Sequence, residues 1–414
     1  MSRIKSIKAR EILDSRGKPT IEVDLFTDAG QFSASVPSGT SKGKYEAVEI
    51  RDGGDRYLGQ GVLEAVKNIN GVILPELTGK EVENQKEIDE LMIRLDGTEN
   101  KSSLGANSIL PVSLACLRAG AGSQNMPLWR WVSKISGEES SLPSPCILFM
   151  EGGLHGKGNL EVQEIMVVLE GESFRERLRI STEIFHALGE FLARHYGKIS
   201  ANVGLEGAYS PLIDDIEEAL DGLMKVIKKS NYRGRVDIIL DMAANCLYQE
   251  GNYFLEGELM TKEQLGDFYL KLCRKYPILA IEDPFGEEDW PAWRDLNSKL
   301  KSQNSEVLLI GDDLTATNIG RIKTALKENC IGGVIIKPNQ IGTVTEAIEA
   351  AKFAVSNNLK VFVKHRSGET KDSFIADLAV GLGSGFIMAG APTRGERVAK
   401  YNRLLKIEEE LNKD

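Results

Sequence analysis

Six short apolar runs in the second half of the chain, five of them closed by charged residues, constrain the fold more than any other feature of the sequence. The runs are VDIILDMAAN, PILAIEDPFG, EVLLIGDDLT, GGVIIKPNQI, KVFVKHRSGE and GFIMAGAP. The first five end on Asp241, then Glu282 and Asp283, then Asp312 and Asp313, then Lys337, then Lys364, His365 and Arg366. From Asp241 the successive steps to Glu282, Asp312, Lys337 and His365 are 41, 30, 25 and 28 residues. Each step accommodates one strand and one helix, which predicts an α/β chain with a (β/α) barrel over residues 136–414.

The first 135 residues have a different rhythm. They hold one alternating stretch, residues 20–26 (TIEVDLF), a Gly, Ser and Lys-rich segment SGTSKGKYE, and helical patterns ending in LGANSILPVSLACLRAGAG. This reads as a smaller α+β domain over 1–135, with the polar stretch 135–143 (ISGEESSLP) as the connection. The 51 Lys and Arg against 61 Asp and Glu exclude a broad basic surface for nucleic acid, though not a local site for a small anion. No apolar run is long enough to span a membrane and the start MSRIKSIKAR is charged, so the expectation is a cytoplasmic protein without a membrane partner. The five cysteines, Cys116, Cys146, Cys246, Cys273 and Cys330, never stand in CxxC spacing and read as buried free thiols.

In a barrel the C-terminal ends of the strands converge on one mouth. Three carboxylates arriving there, Asp241, Glu282 and Asp312, repel one another unless a divalent cation neutralises them, and hard oxygen donors select Mg²⁺ over zinc. A single acid of this kind would read as the partner of a nearby Lys or Arg; three in consecutive units read as a metal site. Lys337 ends the next run between GGVII and PNQIG, where apolar walls and a metal would lower its pKa enough for it to act as a base. The cluster KHRSGET adds cationic donors for phosphate or carboxylate, with Arg366 able to bind in bidentate fashion. Together these residues are equipped to remove a proton beside a carboxylate and to stabilise the resulting aci-carboxylate.

The same residues carry a resemblance to the enolases that extends over nearly the whole chain. Its motifs are EILDSRGKPTIEV, VPSGTSKG, LDGTENKSSLGANSIL, YPILAIEDPFGEEDW, GDDLTATN, IKPNQIGT, HRSGETKDSFIADLAVGL and GAPTRGERVAKYNRLLKIEEEL. The resemblance implies a C-terminal enolase-type (β/α)8 barrel with modified strand order, an N-terminal α+β capping domain with a mobile loop, one or two Mg²⁺ ions, and a homodimer or higher homo-oligomer. By position, Asp241, Glu282 and Asp312 match the metal ligands, Ser38 the residue that helps hold a second Mg²⁺, and Lys337 the base. Glu206 in NVGLEGAY matches the carboxylate that helps expel the β-hydroxyl, with Glu164 as its partner, while His155, Gln163, His365, Arg366 and Ser367 match residues that enclose or bind the substrate. His186 and His195 lie outside every motif and read as structural or surface residues.

The departures from that pattern are specific. Met388 stands where enolases have a lysine that contacts the substrate carboxylate, and Lys364 replaces the usual Ser before His365. Leu205 replaces an acid, Ala208 a glycine, and Glu151 an Asn, while Lys42 and Lys157 add cations to loops. A lost lysine and three gained cations argue for a larger or differently placed anion. The favoured sequence reading is therefore a redirected paralogue of the carboxyphosphonoenolpyruvate synthase type, taking a nucleotide-activated phosphonoformate beside a three-carbon carboxylate. The alternative is a phosphopyruvate hydratase acting on 2-phosphoglycerate, in which Lys364 reaches across to replace the missing lysine. A third reading is an inactive binding protein.

Overall fold

A computed structural model describes residues 2–413 apart from residues 231 and 233. In the N-terminal part, β1 (Ile4–Leu13), β2 (Pro19–Thr27) and β3 (Gly30–Ser35) form an antiparallel sheet. The alternating stretch anticipated at 20–26 is the middle of β2. Against β2 and β3 packs the helix Ala106–Ser123, whose first twelve residues are buried; an apolar helix of this kind needs cover on every side.

The second part is a closed eight-stranded barrel, and the α/β architecture anticipated from the sequence is present. Its strands are β4 (Ser144–Glu151), β5 (Glu164–Leu169) and β6 (Val236–Asp241), then, beyond a small antiparallel sheet of β7 (Tyr248–Gln249), β8 (Asn252–Leu255) and β9 (Glu258–Met260), β10 (Ile278–Glu282), β11 (Leu308–Gly311), β12 (Gly333–Ile336), β13 (Lys360–Lys364) and β14 (Phe386–Met388). Around the barrel the order is β10, β11, β12, β13, β14, β4, β5, β6. These strands are short and almost wholly buried, as barrel strands covered by helices require. Side-chain caps start the covering helices: Asp289 accepts from the Ala292 N–H, Asn318 from Gly320 and Thr343 from Glu346.

One strand breaks the simple βα rhythm. β5 runs antiparallel to both β4 and β6, so its first residue, Glu164, lies at the mouth, in register with Glu151 and with Asp241. A strand entered from the mouth presents its N-terminal end there, whereas the other strands present their last residues. Among the described residues no helix is long and apolar enough to cross a membrane. All five cysteines are free, but Cys246 is exposed and Cys273 half-buried, against the expectation of burial. Cys246 lies in the tight turn after β6.

Candidate active site

At the mouth, Asp241 and Glu282 are register partners at the ends of β6 and β10. Their carboxylates converge on the Lys364 ammonium: Nζ donates to Asp241 Oδ2 at 2.8 Å and to Glu282 Oε1 at 2.7 Å, and lies 3.1 Å from Glu164 Oε2. All four side chains are buried. Burial would strip the proton from Lys364, but the charges of Asp241, Glu164 and Glu282 outweigh it and push its pKa well above the ordinary lysine value. Burial, reinforced by the neighbouring Asp241 charge, also drives Glu282 up, well above the usual carboxylate range.

Asp312 is held apart from this group. Its Oδ2 pairs with Lys337 Nζ and its Oδ1 accepts from Gln340 Nε2 at 2.8 Å. The sequence led us to expect Lys337 to be depressed; burial does act in that direction, but the Asp312 charge outweighs it and raises the pKa. The expected triad of Asp241, Glu282 and Asp312 is thus split between two lysines. Asp312 instead clusters with Asp283 and Asp313; Asp283, at φ 41° in the turn after β10, accepts the backbone N–H groups of both. The donor set still fits Mg²⁺. The acids offer only hard oxygens, and Glu282 Oε2 is buried without a hydrogen-bond partner, a costly state that a cation would relieve.

The opposite end of the site is built on histidines. His365 Nε2 lies 3.0 Å from Glu206 Oε2, and His155 Nδ1 lies 3.4 Å from Glu206 Oε1 and 3.5 Å from Glu164 Oε1. Arg397 donates to His365 Nδ1 at 2.6 Å, which leaves the imidazole proton on Nε2, facing Glu206. Burial alone would raise Glu206, yet His365 and His155 bring it well below the ordinary range. Burial alone would lower His155, yet Glu206 and Glu164 raise it. His155 therefore lies between two carboxylates whose charges favour its protonated form.

The loop from the N-terminal domain closes the mouth. Arg366 grips Glu46 with both guanidinium nitrogens, at 2.8 and 3.2 Å, and donates to the Ser41 carbonyl at 3.0 Å; Ser367 Oγ pairs with Thr40 at 2.7 Å. Ser38 pairs with Gly368 across the domain boundary, and its hydroxyl donates to Glu49 and accepts from Arg51, both at 2.9 Å. The enclosed cavity is lined by Gly39, Thr40 and Ser41 but not by Ser38, and by Lys337, Lys364, His155, Gln163 and Glu206 among others. About 20 Å³ remains, room for a water molecule and not for a three-carbon phosphate.

Comparison with known proteins agrees with this geometry. The profile described as "Enolase, C-terminal TIM barrel domain" matches residues 139–414, and "Enolase, N-terminal domain" matches residues 4–132. The chain belongs to the enolase family. It is 46% identical over 409 residues to the enolase of Methanothrix thermoacetophila, covering 99% of this chain and 96% of that one. It is 48% identical over 412 residues to the enolase of Methanosarcina acetivorans, and 47% over 425 residues to enolase B of Dictyostelium discoideum, in both cases covering 99% of this chain and 95% of the relative.

Within that enolase frame the departures take on different meanings. Met388 is packed into the core, 1% exposed, and does not line the cavity, contrary to the expectation that it faces the substrate. Its register partner on the neighbouring strand is Lys364, which does line the cavity. Glu151 is wholly buried, and its carboxylate accepts the backbone N–H groups of Glu206 at 2.9 Å and Ala208 at 2.9 Å. Burial, then the Glu206 charge, pushes it up to about 8. Lys42 pairs with Glu49 at 3.3 Å and Lys157 is exposed, so the added lysines do not converge on one anion. Arg397, Glu46 and Gln340, which orient His365, Arg366 and Asp312, were missed by sequence reasoning. Arg397 and Gln340 lie inside the quoted motifs, but a motif alone does not say which side chain they touch.

Proposed function

We propose that this chain is a phosphopyruvate hydratase, removing water from 2-phosphoglycerate to give phosphoenolpyruvate. The observation that carries the reading is Lys364: the cation missing at Met388 is present one strand away, with its head group at the cavity. The names of the relatives support the same reading, whereas the added lysines lend no support to a nucleotide-activated co-substrate, and the intact proton-handling groups speak against an inert binding protein.

In this reading Asp241, Glu282 and Asp312 would hold Mg²⁺, which supplies polarisation of the substrate carboxylate when bound. Arg366, released from Glu46, binds an anionic end of the substrate in bidentate fashion. Lys337, freed from Asp312 and having given up its own ammonium proton to solvent, takes the proton from C2. The hydroxyl leaves C3 at the other end of the cavity, where Glu206 faces it and His155 holds the proton that converts hydroxide to water. Closure of the 39–46 loop excludes bulk water during the reaction. Phosphorus NMR of purified protein with 2-phosphoglycerate and Mg²⁺ tests the proposal. Phosphoenolpyruvate formed at about 10 per second or faster is the expected result; no turnover with Mg²⁺ bound would overturn it in favour of a redirected reaction.

A further inference from the structure

Lys364 is placed where it does more than stand in for a lost lysine. Of the four carboxylate oxygens of Asp241 and Glu282, Asp241 Oδ1 accepts from the Ala243 N–H, Asp241 Oδ2 and Glu282 Oε1 accept from Lys364, and only Glu282 Oε2 is unpartnered. A divalent ion that takes oxygens from both acids competes with the ammonium for the same carboxylates, and two cations a few ångströms apart in a buried site repel strongly. The lysine stem is flexible and the residue already lines the cavity. We infer that Lys364 is a tethered resident cation that holds Asp241, Glu282 and Glu164 together in the metal-free protein, and that Mg²⁺ displaces it into the cavity to meet the anionic substrate. Metal binding thereby arms the substrate site, and the carboxylates keep a cationic partner in either state.

This rests on the metal-dependent reading above, and the test separates the two. Full-length, metal-stripped wild type, Lys364→Ser and the double variant Lys364→Ser with Met388→Lys are titrated with MgCl2 by calorimetry, and each is melted in EDTA and in Mg²⁺. Relief of the competition is expected to make both variants bind Mg²⁺ at least tenfold more tightly than wild type. In EDTA, Lys364→Ser should melt below wild type, and Mg²⁺ should raise its Tm by more than it raises that of wild type. The double variant, which keeps a lysine at the neighbouring strand end, carries the affinity measurement if the single variant does not fold. Unchanged or weaker Mg²⁺ affinity in the folded variants would overturn the displacement. A wild type that binds no Mg²⁺ at all would overturn the metal-dependent reading and this inference with it.

Discussion

The two ends of the active-site cavity use buried charge differently. At the metal end Lys364 on β13, the register partner of Met388 on β14, lines the cavity. At the acid end Glu151 on β4 does not line the cavity and holds the backbone of Glu206 and Ala208. The first keeps a charge beside the site; the second turns one into scaffolding. A buried site tolerates relocation of a charge provided that local neutrality and hydrogen bonding are kept, so a position read in isolation overstates a loss.

The comparison breaks most sharply at Lys337. Lys337→Ala should lower turnover by about 10³-fold or more and abolish C2 proton exchange into D2O, read by proton NMR. At the opposite end Glu206→Gln should lower turnover by about 10²–10³-fold while exchange at C2 stays within about tenfold of wild type. Exchange lost in both variants would show that the two ends do not act on separate bonds. Lys364→Ser should cost about 10–100-fold in kcat/KM, the worth of one charge-assisted bond, and adding Met388→Lys should restore most of it. Restoration would make the two strand ends equivalent seats for the same cation; failure would mean that β13 has specialised.

The smallest expected effect lies at Glu151. Burial and the Glu206 charge raise its folded pKa to about 8, above that of an unfolded glutamate, so the folded state binds its proton more tightly. Its contribution is full below the unfolded pKa and is lost as pH rises towards 8. Glu151→Gln removes this dependence but faces the same backbone donors, at a cost that does not vary with pH. The difference in Tm between wild type and variant should therefore drift by about 1–3 °C between pH 5 and 8, with wild type losing ground. A flat difference would mean that Glu151 stays ionised, as its two N–H donors favour.

Much of the site was legible because strand-end residues are local facts. An apolar run followed by a polar helical pattern places its last residues at a barrel mouth whatever the rest of the chain does, which is how Asp241, Glu282, Asp312, Lys337, His365 and Arg366 were found. β4 and β5 gave no such signal: SPCILFME and EIMVVL are short apolar runs without a βα rhythm, and β5 runs the opposite way. Arg397 was hidden for another reason, since it sits in a polar helix 32 residues from the imidazole it orients.

The sequence by itself determined the barrel and the charged residues at its strand ends, because periodicity and strand length act over a few residues. Only the tertiary structure decided what each charge does. The partners of Lys364 lie 123 and 82 residues away in the chain, and whether its ammonium meets a carboxylate, a metal or a substrate depends on strand register and direction around a closed barrel. Ion pairs in a dry interior are fixed by distances of a few ångströms, and those distances exist only once the barrel has closed.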